Sequence, residues 1–276
     1  MHDFVTTNDG VRLHYVVKGA GSKAPLVLVH GWSGSHRYFD NCIDLLASHL
    51  PGHQIYALDL RFHGESDKPS HGFHVARLAA DLRDFISQLG LAKPVVVGTS
   101  LGCAIIWSFC ELFTDAMLGK CVFVDQAPSQ WAMPDWRYGS KGIYDDASLA
   151  NIGRAVQDLP SFAAGNAECC LSKPISAELA KVLTEETLKC DPTHLHKLMA
   201  DHAPRDWRPV LYNCISVPCL NLYGSESGCF PVQGTTAVGE LIGANCSNVE
   251  FEGCNHWLYC EEPARFASCV AEFVGK

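Results

Sequence analysis

The stretch from Pro94 to Ala104, PVVVGTSLGCA, is the most informative part of this sequence. Its consecutive valines are typical of a strand buried on both faces, and the residues from Ala104 onward have helical spacing. Between strand and helix lies the pattern Gly-x-Ser-x-Gly, with Ser100 between Gly98 and Gly102. A sharp strand-to-helix turn of this kind strains the serine backbone and exposes its hydroxyl. We therefore predict that Ser100 is a nucleophile, the alternative being an ordinary turn serine.

Strand-like and helix-like segments alternate on both sides of this turn. The strand-like segments are residues 11–17, 26–29, 95–97, 121–124 and 217–223. The helix-like segments are residues 38–50, 75–89, 104–113 and 263–274. Strands that alternate with helices predict an α/β fold, a mainly parallel sheet with helices on both faces.

One segment, residues 128–209, interrupts the alternation. It contains helical candidates at 149–159 and 176–189 but no convincing strand. We predict a helical lid here, inserted into a core formed by residues 1–127 and 210–276. Ligands bind outside the carboxyl edge of an open α/β sheet, so a lid there would line the substrate pocket. Aromatic residues in or near this pocket are candidate substrate contacts, although such residues more often pack a lid on its core; we name Trp131, Trp136, Tyr144 and Trp257.

A serine nucleophile needs a general base, which is usually histidine. Residues 249–253 are typical of a final strand, and the loop after them contains His256. This order predicts that His256 lies above the same sheet edge as Ser100, the alternative being a surface histidine. The loop after residues 26–29 can direct a backbone N–H toward the same place. We therefore predict an oxyanion hole formed by the N–H groups of Trp32 and Leu101.

Composition restricts the partners of the chain. The net charge is −9, and the 21 lysines and arginines form no basic stripe of the kind that nucleic-acid binders carry. No apolar run approaches the roughly 20 residues that cross a bilayer, and no signal-peptide pattern is visible. We expect a cytoplasmic protein with a small-molecule substrate and no nucleic-acid or membrane partner. The sequence does not indicate an oligomeric state.

The 14 cysteines are expected to be reduced. The sequence shows no export signal and no Cys-x-x-Cys, so neither a disulfide framework nor a zinc site is indicated. Most cysteines have apolar neighbours, which is typical of small core residues. A redox role for the adjacent Cys169 and Cys170 is an alternative that no other feature of the sequence supports.

Four stretches of the chain resemble the α/β-hydrolase superfamily, and the likeness covers nearly all of its length. They are residues 30–32 (His-Gly-Trp), 59–66 (Asp-Leu-Arg-Phe-His-Gly-Glu-Ser), the turn around Ser100, and 253–256 (Gly-Cys-Asn-His). The resemblance implies an eight-stranded sheet with the lid after the sixth strand, and chemistry that needs no metal ion or cofactor. It also implies that Asp59, Arg61 and His63 shape the base of the site. Superfamily members such as epoxide hydrolases use an aspartate nucleophile at this turn, so the serine at position 100 argues against their activity.

The acid of the catalytic triad is where the sequence departs from the commonest pattern of this superfamily. Many relatives carry Gly-x-x-Asp after the strand that is here 218–223, whereas this chain has Gly-Ser-Glu-Ser, with Glu226 one position early. Asp125 follows the preceding strand, and a minority of the superfamily has its acid there. Either strand end can reach the histidine. We favour Asp125, which preserves the order Ser, Asp, His, over Glu226.

The resemblance implies a serine hydrolase that cleaves a carboxylic ester or lactone through an acyl-enzyme on Ser100. One alternative keeps the fold and changes the reaction to cofactor-free oxygenation, C–C bond hydrolysis or perhydrolysis. Thr99 stands where similar dioxygenases tend to have histidine, which disfavours oxygenation. Another alternative is a ligand receptor that retains the triad and signals through its lid.

Overall fold

The computed structural model describes residues 2–276, and these residues form a single eight-stranded sheet. The strand order is β1-β2-β4-β3-β5-β6-β7-β8; β1 and β2 are antiparallel to their neighbours, and the other six strands are parallel. The strands are β1 (His2–Thr6), β2 (Arg12–Lys18), β3 (Leu26–Val29), β4 (Ile55–Leu58), β5 (Val95–Thr99), β6 (Lys120–Val124), β7 (Cys219–Gly224) and β8 (Cys246–Phe251). This is the predicted α/β-hydrolase architecture.

Helices cover both faces of the sheet. They are α1 (Ile43–His49), α2 (Val75–Gln88), α3 (Leu101–Phe113), α4 (Asp146–Ala155), α5 (Leu159–Cys170), α6 (Ala177–Leu188), α7 (Pro192–His202), α8 (Arg208–Cys214), α9 (Val232–Ile242), α10 (Leu258–Glu261) and α11 (Pro263–Gly275). Within residues 2–276, none of the helices is both long enough and apolar enough to span a bilayer.

The central strands are apolar throughout because both of their faces are buried. In β3, Val27 and Val29 belong to the core beneath α2, α3 and α8, while Leu26 and Leu28 belong to the core beneath α1 and α11. Alternate side chains of a strand point to opposite faces, so every position of this strand is apolar. The continuous runs at 26–29 and 95–97 were recognisable as strands for this reason.

The segment between β6 and β7 contains helices α4 to α8. Helix α6 packs against the short 3₁₀ helix His36–Phe39 after β3, and α7 packs against α2. Helix α8 packs against α3 and α9, and the predicted lid boundary at residue 209 falls inside it.

Two helices predicted as continuous are each divided. The segment 38–50 contains the end of the 3₁₀ helix and all of α1. The bond from the N–H of Asp40 to the carbonyl of Arg37 spans three residues, as in a 3₁₀ helix, and α1 begins only at Ile43. The segment 149–159 ends at Ala155, and α5 begins at Leu159, where the side chain of Asp158 accepts a bond from Ser161 N and caps the new helix. A capping aspartate followed by proline is a helix-start signal that apolar spacing alone does not contain.

Candidate active site

Ser100 lies at the turn between β5 and α3, at the carboxyl edge of the sheet. Its φ is +52° and its ψ is −119°, a conformation that side-chain-bearing residues rarely adopt. The flanking glycines make this turn possible. A Cβ on Gly98 would lie 2.5 Å from the carbonyl carbon of Gly102, and a Cβ on Gly102 would overlap the carbonyl oxygen of Val29. The strained serine therefore depends on a glycine on each side.

The imidazole of His256 and the carboxylate of Asp125 form a short hydrogen bond. Nδ1 of His256 lies 2.6 Å from Oδ2 of Asp125, and both side chains are buried. Asp125 follows β6 directly and has a φ of +47°, while His256 lies in the loop after β8. Because parallel strands end at the same edge, the ends of β5, β6 and β8 bring Ser100, Asp125 and His256 to one site.

The carboxylate of Asp125 is held by two further donors. The N–H of Gly224 donates to Oδ1 at 3.0 Å, and the hydroxyl of Ser227 donates to Oδ2 at 2.6 Å. Ser227 stands at the position where many α/β-hydrolases have their acid. Glu226 is exposed, and its backbone N–H bonds to Cys254. The structure therefore brings Asp125 to His256 and leaves Glu226 facing solvent.

The hydroxyl of Ser100 donates to Oε1 of Gln126 at 3.4 Å in the rotamer of this structure. Gln126 is buried, and its own amide nitrogen donates to the carbonyl of Ala127 at 3.1 Å. Sequence analysis overlooked Gln126. Its position directly after Asp125 could have indicated it. A residue at the carboxyl end of β6 lies close to the nucleophile elbow, the strand-to-helix turn around Ser100 that follows the neighbouring strand β5.

The loop after β3 lies directly against Ser100. A Cβ on Gly31 would be 3.0 Å from Cβ of Ser100, so the backbone that leads to Trp32 passes over the serine. The indole of Trp32 donates to the carbonyl of Leu195 at 3.0 Å, which ties this loop to α7. Leu101 is the first residue of α3, where a backbone N–H has no partner within its own helix. Both predicted oxyanion donors thus belong to backbone next to Ser100.

Buried polar residues beneath this loop hold it in place. Nε2 of His30 accepts from Leu60 N at 3.0 Å, and Nε2 of His63 accepts from Ser33 N at 3.2 Å. Burial lowers the pKa of His63 to about 3, so this imidazole is neutral and can accept. The guanidinium of Arg61 pairs with Asp81 through two hydrogen bonds of 2.5 and 2.7 Å.

Three other residues carry side chains of the kinds that bind metal ions. The possible ligand atoms of His14, His36 and Asp59 lie within 4.8 Å of one another, and residues 2–276 contain no other group of this kind. Nδ1 of each histidine lies 2.8–3.0 Å from the Asp59 carboxylate. Burial would raise the pKa of Asp59, but hydrogen bonds from both histidines hold it well below its usual value. Hydrogen bonding within the group accounts for its geometry.

A cavity of about 160 Å³ opens onto Ser100 and His256. Of the four predicted aromatic contacts, Trp257 lines it and the other three do not; Trp32, predicted as an oxyanion donor, lines it as well. Trp131 packs on a cluster with Ile143 and Met199, Trp136 is buried against Ala127 and Phe230, and Tyr144 is exposed. Further lining residues that sequence analysis did not identify are Tyr38, Gln130, Ile152, Phe162, Asn166, Met199, Cys229, Phe230 and Tyr259. They come from distant parts of the chain, and no local pattern marks them.

The thiol of Cys229 lies beside His256 and changes its basicity. Burial alone would lower the pKa of His256, but the charge of Cys229 and the hydrogen bond to Asp125 raise it well above its usual value. Hydrogen bonds with Cys169 and Cys170 lower the pKa of Cys229 well below the usual range, and the charge of His256 acts in the same direction. The cavity therefore contains a thiol with a lowered pKa next to the imidazole.

Comparison with known proteins relates the chain to enzymes with several activities. It is 26% identical over 277 residues to a non-heme chloroperoxidase of Streptomyces lividans, covering 98% of each chain. It is 40% identical over 101 residues to a soluble epoxide hydrolase of a Corynebacterium strain, covering 37% of this chain and 34% of that protein. Among solved structures, an esterase of Exiguobacterium antarcticum superposes with a TM-score of 0.92 at 22% identity, covering all of both chains.

The family assignment depends on a match that covers most of the chain. The family model described as alpha/beta hydrolase fold matches residues 24–263, which span β3 to the start of α11 and include the elbow serine, Asp125 and His256. The sheet order and the elbow geometry agree with this match. The chain belongs to the α/β-hydrolase family.

Proposed function

We propose that the chain is a serine hydrolase that cleaves a carboxylic ester or lactone of a small, largely apolar substrate. The observation that carries this proposal is the arrangement of three residues at the sheet edge. Ser100, with its strained backbone, lines the same cavity as His256, and Nδ1 of His256 lies 2.6 Å from Oδ2 of Asp125. A nucleophile, a base and a residue that orients the base are the parts that acyl transfer needs.

In the proposed mechanism, the hydroxyl of Ser100 turns from Gln126 toward Nε2 of His256 and attacks the substrate carbonyl. His256 accepts the proton, and Asp125 keeps Nδ1 protonated and stabilises the imidazolium. The N–H groups of Trp32 and Leu101 donate to the developing oxyanion. The leaving group takes the proton from His256, and a water molecule, activated by the same base, then hydrolyses the acyl-enzyme.

The cavity supports a small acyl group. An apolar cavity of about this size accommodates a molecule as large as benzene. We propose that residues 128–209 form a lid over the core of residues 1–127 and 210–276. The lid would contribute Ile152, Phe162 and Met199 to the apolar wall that encloses the acyl chain.

The test is hydrolysis of p-nitrophenyl esters with acyl chains of increasing length. We expect turnover to be greatest for short chains and to fall once the chain exceeds the cavity. Ser100→Ala should reduce kcat by at least about 10⁴-fold. Ser48→Ala, at an exposed position of α1, should leave it unchanged. Absence of turnover for every ester and lactone tested, with correctly folded protein, would refute the proposal.

Perhydrolysis is a second candidate, favoured by the chloroperoxidase relative that aligns over 98% of the chain. In that reaction hydrogen peroxide, in place of water, attacks the acyl-enzyme and releases a peracid. Peracid formation from a short carboxylic acid and hydrogen peroxide, measured by bromide oxidation and abolished in Ser100→Ala, would support this candidate. Ester hydrolysis with no peracid would exclude it.

A further inference from the structure

Three thiols converge on one side of the cavity. Cys169 and Cys170 are the last residues of α5, and Cys229 lies in the loop between β7 and α9. All three line the cavity, and the sulfur atoms of Cys170 and Cys229 are 3.8 Å apart. The thiols therefore come from two segments that are far apart in sequence and meet beside His256.

The backbones of these two segments are in close contact. A Cβ on Gly228 would collide with the carbonyl oxygen of Cys169, and the side-chain amide of Asn255 bridges Gly228 N and the carbonyl of Cys169 at 2.6 and 3.0 Å. A disulfide needs a sulfur–sulfur distance of about 2.05 Å and adjacent Cβ atoms. Because the segments already touch, a small side-chain movement would bring Cys170 and Cys229 to that distance.

The two thiols are chemically unequal. The pKa of Cys229 is lowered by its hydrogen bonds with Cys169 and Cys170 and by the charge of His256, whereas hydrogen bonding and burial raise the pKa of Cys170 well above its usual value. The thiolate is the form that reacts with oxidants. Cys229 is thus the attacking sulfur, and Cys170 is placed to resolve the product.

Another close pair of cysteines lacks these features. Cys121 and Cys219 are register partners on β6 and β7, and both are buried in the sheet core away from the cavity. Hydrogen bonding to Cys219 and burial raise the pKa of Cys121 well above its usual value. Proximity of two thiols in this chain does not by itself create a reactive pair.

We propose that Cys229 and Cys170 form an oxidant-sensitive pair that a small hydroperoxide converts to a disulfide. The Cys229 thiolate attacks a peroxide oxygen, the O–O bond breaks, and Cys229 becomes a sulfenic acid as hydroxide leaves and is protonated to water. The sulfur of Cys170 then attacks the sulfenic sulfur, loses its proton and releases a second water. Two thiols are oxidised, and one peroxide is reduced to two waters.

The disulfide would join α5 to the loop beside His256. It would fix the carboxyl end of α5 against this loop, both of which line the cavity, and so restrict the entry of substrate. We expect hydrolysis to be lost on oxidation and recovered on reduction; this consequence, unlike the disulfide itself, rests on the proposed function.

The experiment treats reduced, full-length protein with stoichiometric hydrogen peroxide and maps disulfides by non-reducing peptide mass spectrometry. We expect a linkage between Cys170 and Cys229 and a loss of two hydrogen atoms. In Cys170→Ser and Cys170→Ala the reaction should stop at a Cys229 sulfenic acid that dimedone traps. Cys269→Ser, which removes a partly exposed thiol of α11, should behave as the wild type.

A linkage of Cys229 to Cys169, a linkage elsewhere, or unmodified Cys229 after treatment would overturn the proposal. Circular dichroism of each variant shows that it is folded. Ester hydrolysis measured on the same samples should fall with disulfide formation and return with dithiothreitol. Because the mapping does not depend on activity, a chain that hydrolyses no ester but forms the disulfide refutes the proposed function and leaves the thiol pair supported.

Discussion

The hydroxyl of Ser227 donates a 2.6 Å hydrogen bond to Oδ2 of Asp125, the oxygen that also lies 2.6 Å from Nδ1 of His256. A serine occupies the place where many α/β-hydrolases carry their acid, and it donates to an acid that follows the neighbouring strand. Gly224 N holds the other carboxylate oxygen, so Asp125 is fixed from both sides.

Ser227→Ala removes a buried hydrogen bond to this carboxylate. We expect the free energy of unfolding to fall by about 1–3 kcal/mol, because a buried charged acceptor loses a partner. We expect kcat to fall by about tenfold, since Asp125 is oriented less well. Urea unfolding and ester kinetics test both. The matched control is Ser225→Ala, whose hydroxyl accepts from Gly253 N and does not contact Asp125; unchanged kcat in Ser227→Ala would contradict the supporting role.

Asp125→Asn and Glu226→Gln separate the two candidate acids. An amide at 125 cannot stabilise the imidazolium and favours the wrong tautomer of His256, so kcat should fall by about 10⁴-fold with a small change in KM. Glu226→Gln changes an exposed side chain and should leave kcat within about twofold. The reverse pattern in steady-state ester kinetics would assign the role to Glu226.

The acid limb of the pH profile reports the basicity of His256. The base must be neutral, and the pKa of His256 is raised above its usual value, so kcat/KM should already decline as pH falls through this raised pKa. Cys229→Ser removes the thiol that raises this pKa while Asp125 remains on Nδ1. The limb should therefore move to lower pH in the variant. A limb that stays in place would show that Cys229 does not act on the imidazole.

Gly102→Ala and Gly165→Ala place the same change in two helices with opposite expected results. In α3, a Cβ at 102 would overlap the carbonyl oxygen of Val29, so we expect a loss of more than about 3 kcal/mol or failure to fold. In α5, a Cβ at 165 meets no atom within 4 Å, and alanine should stabilise by about 0.5–1 kcal/mol. Thermal unfolding of both variants measures the contrast.

Phe162→Ala enlarges the apolar wall of the cavity that Phe162 shares with Trp32. The preference in the p-nitrophenyl ester series should shift to longer acyl chains, because the added space accepts more methylene groups, each worth about 0.8 kcal/mol when buried. Tyr144→Ala, at an exposed residue outside the cavity, is the control and should keep the wild-type profile. An unchanged preference in Phe162→Ala would place the acyl group elsewhere.

Sequence alone was sufficient for the features that depend on neighbouring residues. The apolar runs of β3 and β5 predicted strands buried on both faces, and the pattern around Ser100 predicted the elbow, because both follow from local backbone geometry. Strands β1 and β4 were not identified. β4 is as short as β3, but its sequence, Ile-Tyr-Ala-Leu, contains only one β-branched residue, and an apolar run of this kind does not distinguish a strand from a buried helix.

Features that join distant segments were decided by the tertiary structure. Asp125 and Glu226 were both compatible with the sequence, and only the packing of β6 beside β7 brings the carboxylate of Asp125 to His256. The approach of Cys170 to Cys229 and the walls of the cavity have the same origin. Their distances depend on how helices and loops far apart in the chain fold onto the sheet, and no local pattern of residue types contains that information.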